Sequence, residues 1–128
     1  MSYYFATTLE TDFEGAVQRA TEALKAHGFG IITQIDVRDT FKNKLGVDFR
    51  NYRILGAYNP QLAHEALQIE DKVGTMLPCN VVVQDAGGGK IEVAAIDPVA
   101  SMMAIDNPEL KRAAERVRDK LRSAIESL

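Results

Sequence analysis

The sequence has no tryptophan, one cysteine, two histidines and four prolines in 128 residues. A single cysteine excludes an internal disulfide, which fits a reducing compartment. Two histidines, His27 and His64, and one cysteine, with no i, i+3 or i+4 spacing among them, give no metal-binding motif. No G-x-S-x-G elbow occurs, and the few serines stand at chain ends or helix starts, so no hydrolase triad can be picked out. The opening "MSYYFATTLETDFEG" lacks the basic start and apolar core of a signal peptide, and no apolar run reaches the roughly 20 residues a membrane helix needs. Positive charge is also short: the formal net charge is −3, which argues against general affinity for nucleic acid. These absences lead to the expectation of a cytoplasmic, non-membrane protein. The length fits one domain, 1–128, able to bury about two thirds of its unfolded surface without a metal or disulfide.

What is present is punctuated clearly. "SYYFATTL" is rich in aromatic and β-branched residues and reads as a strand. Asp12 then caps a helix to His27, whose stripe of Phe13, Val17, Ala20 and Leu24 marks a single buried face. "FGIITQIDV" is a second strand, "DVRDTFKNKLG" a short helix capped by Asp36 and stopped by Gly46, and "FRNYRILGAY" a third strand. Asn59 and Pro60 open a helix to about Asp71. "PCNVVVQD" and "KIEVAAID" form a hairpin about Gly87, Gly88 and Gly89. That triple glycine is a turn and not a phosphate loop, because no helix follows it. Asp97-Pro98 opens a helical turn. Asn107-Pro108 opens a last helix with Leu110, Ala114, Val117, Leu121, Ile125 and Leu128 on one stripe. The expected fold is α+β: a two-layer sandwich of about five mostly antiparallel strands with helices on one face.

Candidate functional residues each have a bland alternative. Cys79 shares a strand face with Leu77, Val81 and Val83, which suits a buried structural thiol, with Asn80, Val82 and Gln84 on the other face. It also stands at a strand end, where a lowered pKa would make it a nucleophile. His64 falls at the edge of the helical stripe of Leu62, Ala63, Ala66, Leu67 and Ile69; it is either a surface residue or a neutral imidazole near a helix start. His27, at the far end of the first helix, reads as a helix-end residue. Arg53 lies mid-strand among apolar residues and needs a partner, either an acid such as Asp97 or Glu92 or a bound anion. Arg38, Lys42, Lys44, Arg50 and Arg53, interleaved with Phe41, Phe49 and Tyr52, read as a solvated charged face. Asn59, Asp97 and Asn107, each before a proline, are helix caps. The first two follow strands and would border a site if those strand ends meet.

Taken together, "GFGIITQIDVRDTFKNKLGVDFRNYRILGAYNP", the following "AH", "LPCNVVV" and "VAAIDP" resemble an uncharacterised bacterial and archaeal family, domain of unknown function 302, over nearly the whole chain. The resemblance implies a small α+β domain that assembles as a dimer or larger oligomer, and it brings no reaction and no cofactor with it. It draws attention to Arg53, Asn59, His64, Cys79, Asn80 and Asp97. The resulting expectation is a homo-oligomer with a small anionic ligand in a pocket at strand ends and helix starts, Arg53 supplying the charge. Three other readings stay open: a cysteine-dependent enzyme or sulfur carrier using Cys79 with His64, a metal or haem site, and a structural module assembled through the C-terminal stripe.

Overall fold

The structure is a computed structural model that describes residues 2–128. Five strands, β1 (Tyr4–Leu9), β2 (Gly30–Asp36), β3 (Tyr52–Tyr58), β4 (Cys79–Gly87) and β5 (Lys90–Ile96), form one sheet in the order β1-β5-β4-β3-β2. Every neighbouring pair is antiparallel. The helices are α1 (Phe13–Ala26), α2 (Val37–Leu45), α3 (Pro60–Ile69), α4 (Pro98–Ser101) and α5 (Pro108–Glu126). This is the α+β sandwich expected from the alternation of strands and helices.

The caps act as the residue types dictate. The carboxylate of Asp12 accepts from the backbone N–H of Gly15, Asp36 from Asp39, and Asn59 from Leu62. Asp97 accepts from Val99, and Asn107 from Glu109 and Leu110. Each bond satisfies a donor that the helix geometry leaves orphaned. At the β4–β5 hairpin Gly87, Gly88 and Gly89 all have positive φ, 84°, 62° and 75°, a conformation that costs a side-chain-bearing residue strain.

Two elements differ from the sequence expectation. The third strand begins at Tyr52 rather than Phe49, because Phe49 and Arg50 turn aside into a cluster with Phe41 and Tyr52. The helix α3 stops at Ile69, and a 3-10 turn, Asp71–Met76, follows it. There the chain bends to bury Val73 completely.

The inward face of the sheet carries Leu55 and Ala57 from β3, Cys79, Val81 and Val83 from β4, and Ile91, Val93 and Ala95 from β5. They pack with Ala16, Val17, Ala20 and Leu24 of α1 and with Leu121, Ala124 and Ile125 of α5. A second cluster of Ala66, Val73, Met102, Leu110 and Ala114 ties α3, α4 and α5 together. The C-terminal stripe, a candidate for assembly on the sequence, is therefore spent inside its own chain: Leu110, Ala114, Leu121 and Ile125 are all buried. Outside the core, Arg116 of α5 pairs with Glu65 of α3.

The outward face has no helix over it. Direct cross-strand pairs share a face. Tyr4, Ala6 and Thr8 of β1 therefore stand beside Ile96, Ala94 and Glu92 of β5. These continue into Val82 and Gln84 of β4, then Tyr52, Ile54 and Gly56 of β3, then Thr33 and Ile35 of β2. Apart from Lys90 at the hairpin tip, Glu92 is the only charged residue among these described positions. At Gly56 the backbone approaches its neighbours closely: a Cβ there would overlap Thr33 Oγ1 and come within 2.8 Å of Pro78 Cγ.

Candidate functional site

Six residues singled out from the sequence are distributed over four places. Asn59, Cys79 and Asp97 lie at one end of the sheet, where the last residues of β3 and β5 flank the start of β4. There Asn59, Cys79 and Pro98 line a small cavity of about 30 Å³ with Phe29, Ala57, Leu62, Leu77 and Leu110. The meeting of strand ends and helix starts is thus present, but the walls are almost wholly apolar. A cavity of this size has room for little more than a water, and no set of polar partners surrounds one. The Asn59 and Asp97 side chains are committed to capping α3 and α4.

Cys79 is 6% exposed, and burial pushes its thiol up to about 11. A nucleophilic or metal-binding cysteine needs a shift in the other direction, produced by a cation or a helix start. The only cause acting on Cys79 is desolvation. Its surroundings are those of a packing residue.

Arg53 stands at the opposite end of β3 from Ala57, the residue that pairs with Cys79. Four residues of strand separate the two by about 13 Å. Its partners are not Asp97 or Glu92, as the sequence suggested. The guanidinium donates to both carboxylate oxygens of Glu14, at 3.1 and 2.8 Å, and lies 3.6 Å from Asp36. It also stands over the ring of Phe13 at 5.2 Å. The cause is strand order: β2 pairs Asp36 with Arg53 across the ladder, and α1 begins directly above. The Arg53 side chain is 17% exposed, and its pKa is raised, chiefly by the Glu14 bond and against the cost of burial. With Arg38, Asp39, Lys42, Asp48 and Asn51 it borders a cleft of about 400 Å³ in which the carboxylates of Glu14, Asp36, Asp39 and Asp48 outnumber the cations of Arg38, Lys42 and Arg53.

His64 is exposed on the outer side of α3, consistent with its place at the edge of the stripe, and does not line the cavity beside Cys79. Asn80 points the other way from Cys79, onto the outward face of the sheet. No group of three or more His, Cys, Asp or Glu among the described residues is placed to hold a metal ion. No helix among them is long and apolar enough to cross a membrane.

Asn80 leads to a place the sequence reading did not single out. On the outward face it borders a cleft of about 360 Å³ with Tyr3, Tyr4, Tyr52, Val82, Gln84, Glu92, Ala94 and Ile96. Its floor is apolar, and two of its polar side chains are linked: Gln84 Nε2 donates to Glu92 Oε1 at 3.0 Å, while Arg50 Nε, outside the lining, donates to Gln84 Oε1 at 2.9 Å. Arg50 is held in turn over the rings of Phe49 and Tyr52, at 4.4 and 5.4 Å. The Tyr3 and Tyr4 rings meet edge to face at 5.1 Å on the other side. A signal for this face was present in the sequence. "VVV" and "IEVAAI" break the alternation of apolar and polar residues expected of an antiparallel strand with one face in water.

Comparison with known proteins settles the family. The profile of the family described as domain of unknown function DUF302 matches residues 5–128. The chain belongs to this family. It is similar to an uncharacterised conserved DUF302 protein from Bacillus stearothermophilus, known from a crystal structure. The two are 28% identical with a TM-score of 0.90, and the likeness covers 98% of each chain. No curated protein matches. Membership fixes the fold and leaves the activity to be argued from the site.

Proposed function

We propose that this DUF302 domain binds a small molecule on the outward face of its sheet, in the cleft between Tyr4, Tyr52 and Asn80. The observation that carries this reading is the cleft itself. It is a concavity of ligand size on an apolar floor, with a few fixed polar groups at its sides. The tyrosines offer rings and hydroxyls, Asn80 an amide, and Glu92 a carboxylate acceptor held in place by the Gln84 amide that donates to it. This inventory suits a flat molecule with hydrogen-bonding groups, uncharged or positively charged. An anion held by Arg53 at strand ends and helix starts is the weaker reading. Arg53 is already bonded to Glu14 and faces Asp36, and the cavity at the helix starts is narrow and apolar. Thiol chemistry at Cys79 with His64 has less support still, given the raised thiol pKa and the exposed histidine.

Amide-resolved NMR titration with a panel of aromatic amines and uncharged heteroaromatics is the test. Shifts centred on Asn80, Val82, Gln84 and Ala94 that weaken at least tenfold in Asn80→Ala are the expected result. Shifts centred on Arg53, Arg38 and Lys42 with an organic anion instead would overturn the reading in favour of the charged cleft.

A further inference from the structure

Among the described residues that line the outward cleft, Glu92 is the only charged one, and it stands at one end. The sheet register fixes what lies beyond it. Glu92 is level with Thr8 of β1 and Gln84 of β4, and Gln84 is level with Tyr52 of β3. Two residues along β5, Ala94 lies beside Ala6 and Val82; two further, Ile96 lies beside Tyr4. Four residues of strand set the Glu92 level and the Ile96 level about 13 Å apart. On the reading of this cleft as a ligand site, on which the inference rests, we infer that the ligand is an organic ammonium with a flat ring. The cation sits on Glu92, and the ring lies along Val82 and Ala94 towards Tyr4.

The state of Glu92 selects a cation. The residue is half-buried, and its bond from Gln84 Nε2 comes from a neutral amide. Among the described residues no Lys or Arg forms an ion pair with it. Arg50 is on the far side of the Gln84 amide, its Nε bonded to Gln84 Oε1 and its guanidinium over Phe49 and Tyr52. Lys90 stands two residues away at the exposed hairpin tip. A carboxylate drawn part-way out of water gains most from a partner that is both a donor and a cation. The Arg50 bond also fixes the direction of the Gln84 amide: its oxygen is taken, so its nitrogen holds Glu92 Oε1 and leaves Oε2 for the ligand. A neutral donor would make that bond without the charge, and an anion would be repelled. The rest of the cleft supplies no second charge, so the remainder of the ligand is apolar; tyrosine rings at both ends favour an aromatic body.

Tryptamine, tryptophol and indole-3-acetate share one ring system and a short chain, and at neutral pH they end in a cation, a hydroxyl and an anion. Titrated into the full chain by NMR, they are the test. Tryptamine should bind about tenfold more tightly than tryptophol, the worth of adding charge to one hydrogen bond, and indole-3-acetate should bind weakest. The tryptamine shifts should include Thr8, Gln84 and Glu92 as well as Val82 and Ala94. Glu92→Gln keeps an acceptor for Gln84 and removes the charge, so it should erase the preference for tryptamine. The wild-type ranking decides the matter alone if that variant does not fold. Equal wild-type affinities for tryptamine and tryptophol overturn the inference, as does a preference that survives Glu92→Gln. In either case the cleft still stands as a ligand site if Asn80→Ala weakens both. Tryptamine shifts confined to Asp36, Asp39 and Asp48 would put the amine in the carboxylate-rich cleft beside Arg53 and overturn the inference too. So would an outward face that none of the three probes shifts; the cleft itself then falls only if the wider panel also fails there.

Discussion

The two faces of this sheet are built from neighbouring residues of the same strands and have different fates. Leu55, Val81 and Val93 point inward and are fully buried under α1 and α5. Ile54, Val82 and Ala94, each one residue away, point outward into half-buried positions with no helix above them. The inward face is wholly apolar in its core, while the outward face mixes apolar residues with Thr8, Thr33, Asn80, Gln84 and Glu92; the helices cover the first and leave the second open. The face that the chain itself leaves uncovered carries the cleft proposed above as the binding site.

The largest way to break this comparison is a matched pair on β3. Leu55→Ala removes a wholly buried side chain from the inward core and should cost about 3 kcal/mol. Ile54→Ala, next to it on the outward face, should cost about 1 kcal/mol or less in urea unfolding. Equal losses would mean that the outward face is as well packed as the inward one. Gly56→Val comes next, at about 2 kcal/mol. The outward side of that glycine is occupied by Thr33 and Pro78, and the neighbours must move to admit a side chain. A neutral result in thermal unfolding would show the face to be soft there.

Cys79 gives a smaller effect with a definite pH window. Its folded pKa lies above the ordinary 9.0, so the buried neutral thiol favours the folded state fully below that value. Stability is then lost as pH rises from about 9 towards about 11, while the unfolded chain ionises and the folded chain does not. Cys79→Ala should flatten that fall. Alkylation of the wild-type thiol at pH 7.5 should proceed only at the rate of opening; rapid labelling of the native protein would contradict the buried placement. The smallest effect is expected at His64. Exposed on α3, His64→Ala should change stability by under about 0.5 kcal/mol and leave ligand shifts on the outward face unmoved.

The candidate site was only partly legible before folding. The alternation in "PCNVVVQ" correctly set Cys79 against Asn80 across the sheet, and the Asn-Pro and Asp-Pro pairs correctly marked helix starts that meet at strand ends. Arg53 could not be assigned its partners, because Glu14 is 39 residues away and reaches it only through the pairing of β2 with β3. The cleft of Tyr4, Tyr52, Asn80 and Glu92 collects residues from four strands. Spacing along the chain gives no hint that β5 lies between β1 and β4.

The sequence by itself determined the elements, their caps, the hairpin and the two residue sets that each strand presents. These follow from backbone donors, side-chain volume and the two-residue period, all local forces. Only the tertiary structure decided which set would be covered, which charges would meet, and which of several plausible polar residues would share a cleft. Those outcomes depend on strand order and on where α1 and α5 lie down. They are set by the whole chain minimising its exposed apolar surface, and here that minimum leaves one face bare.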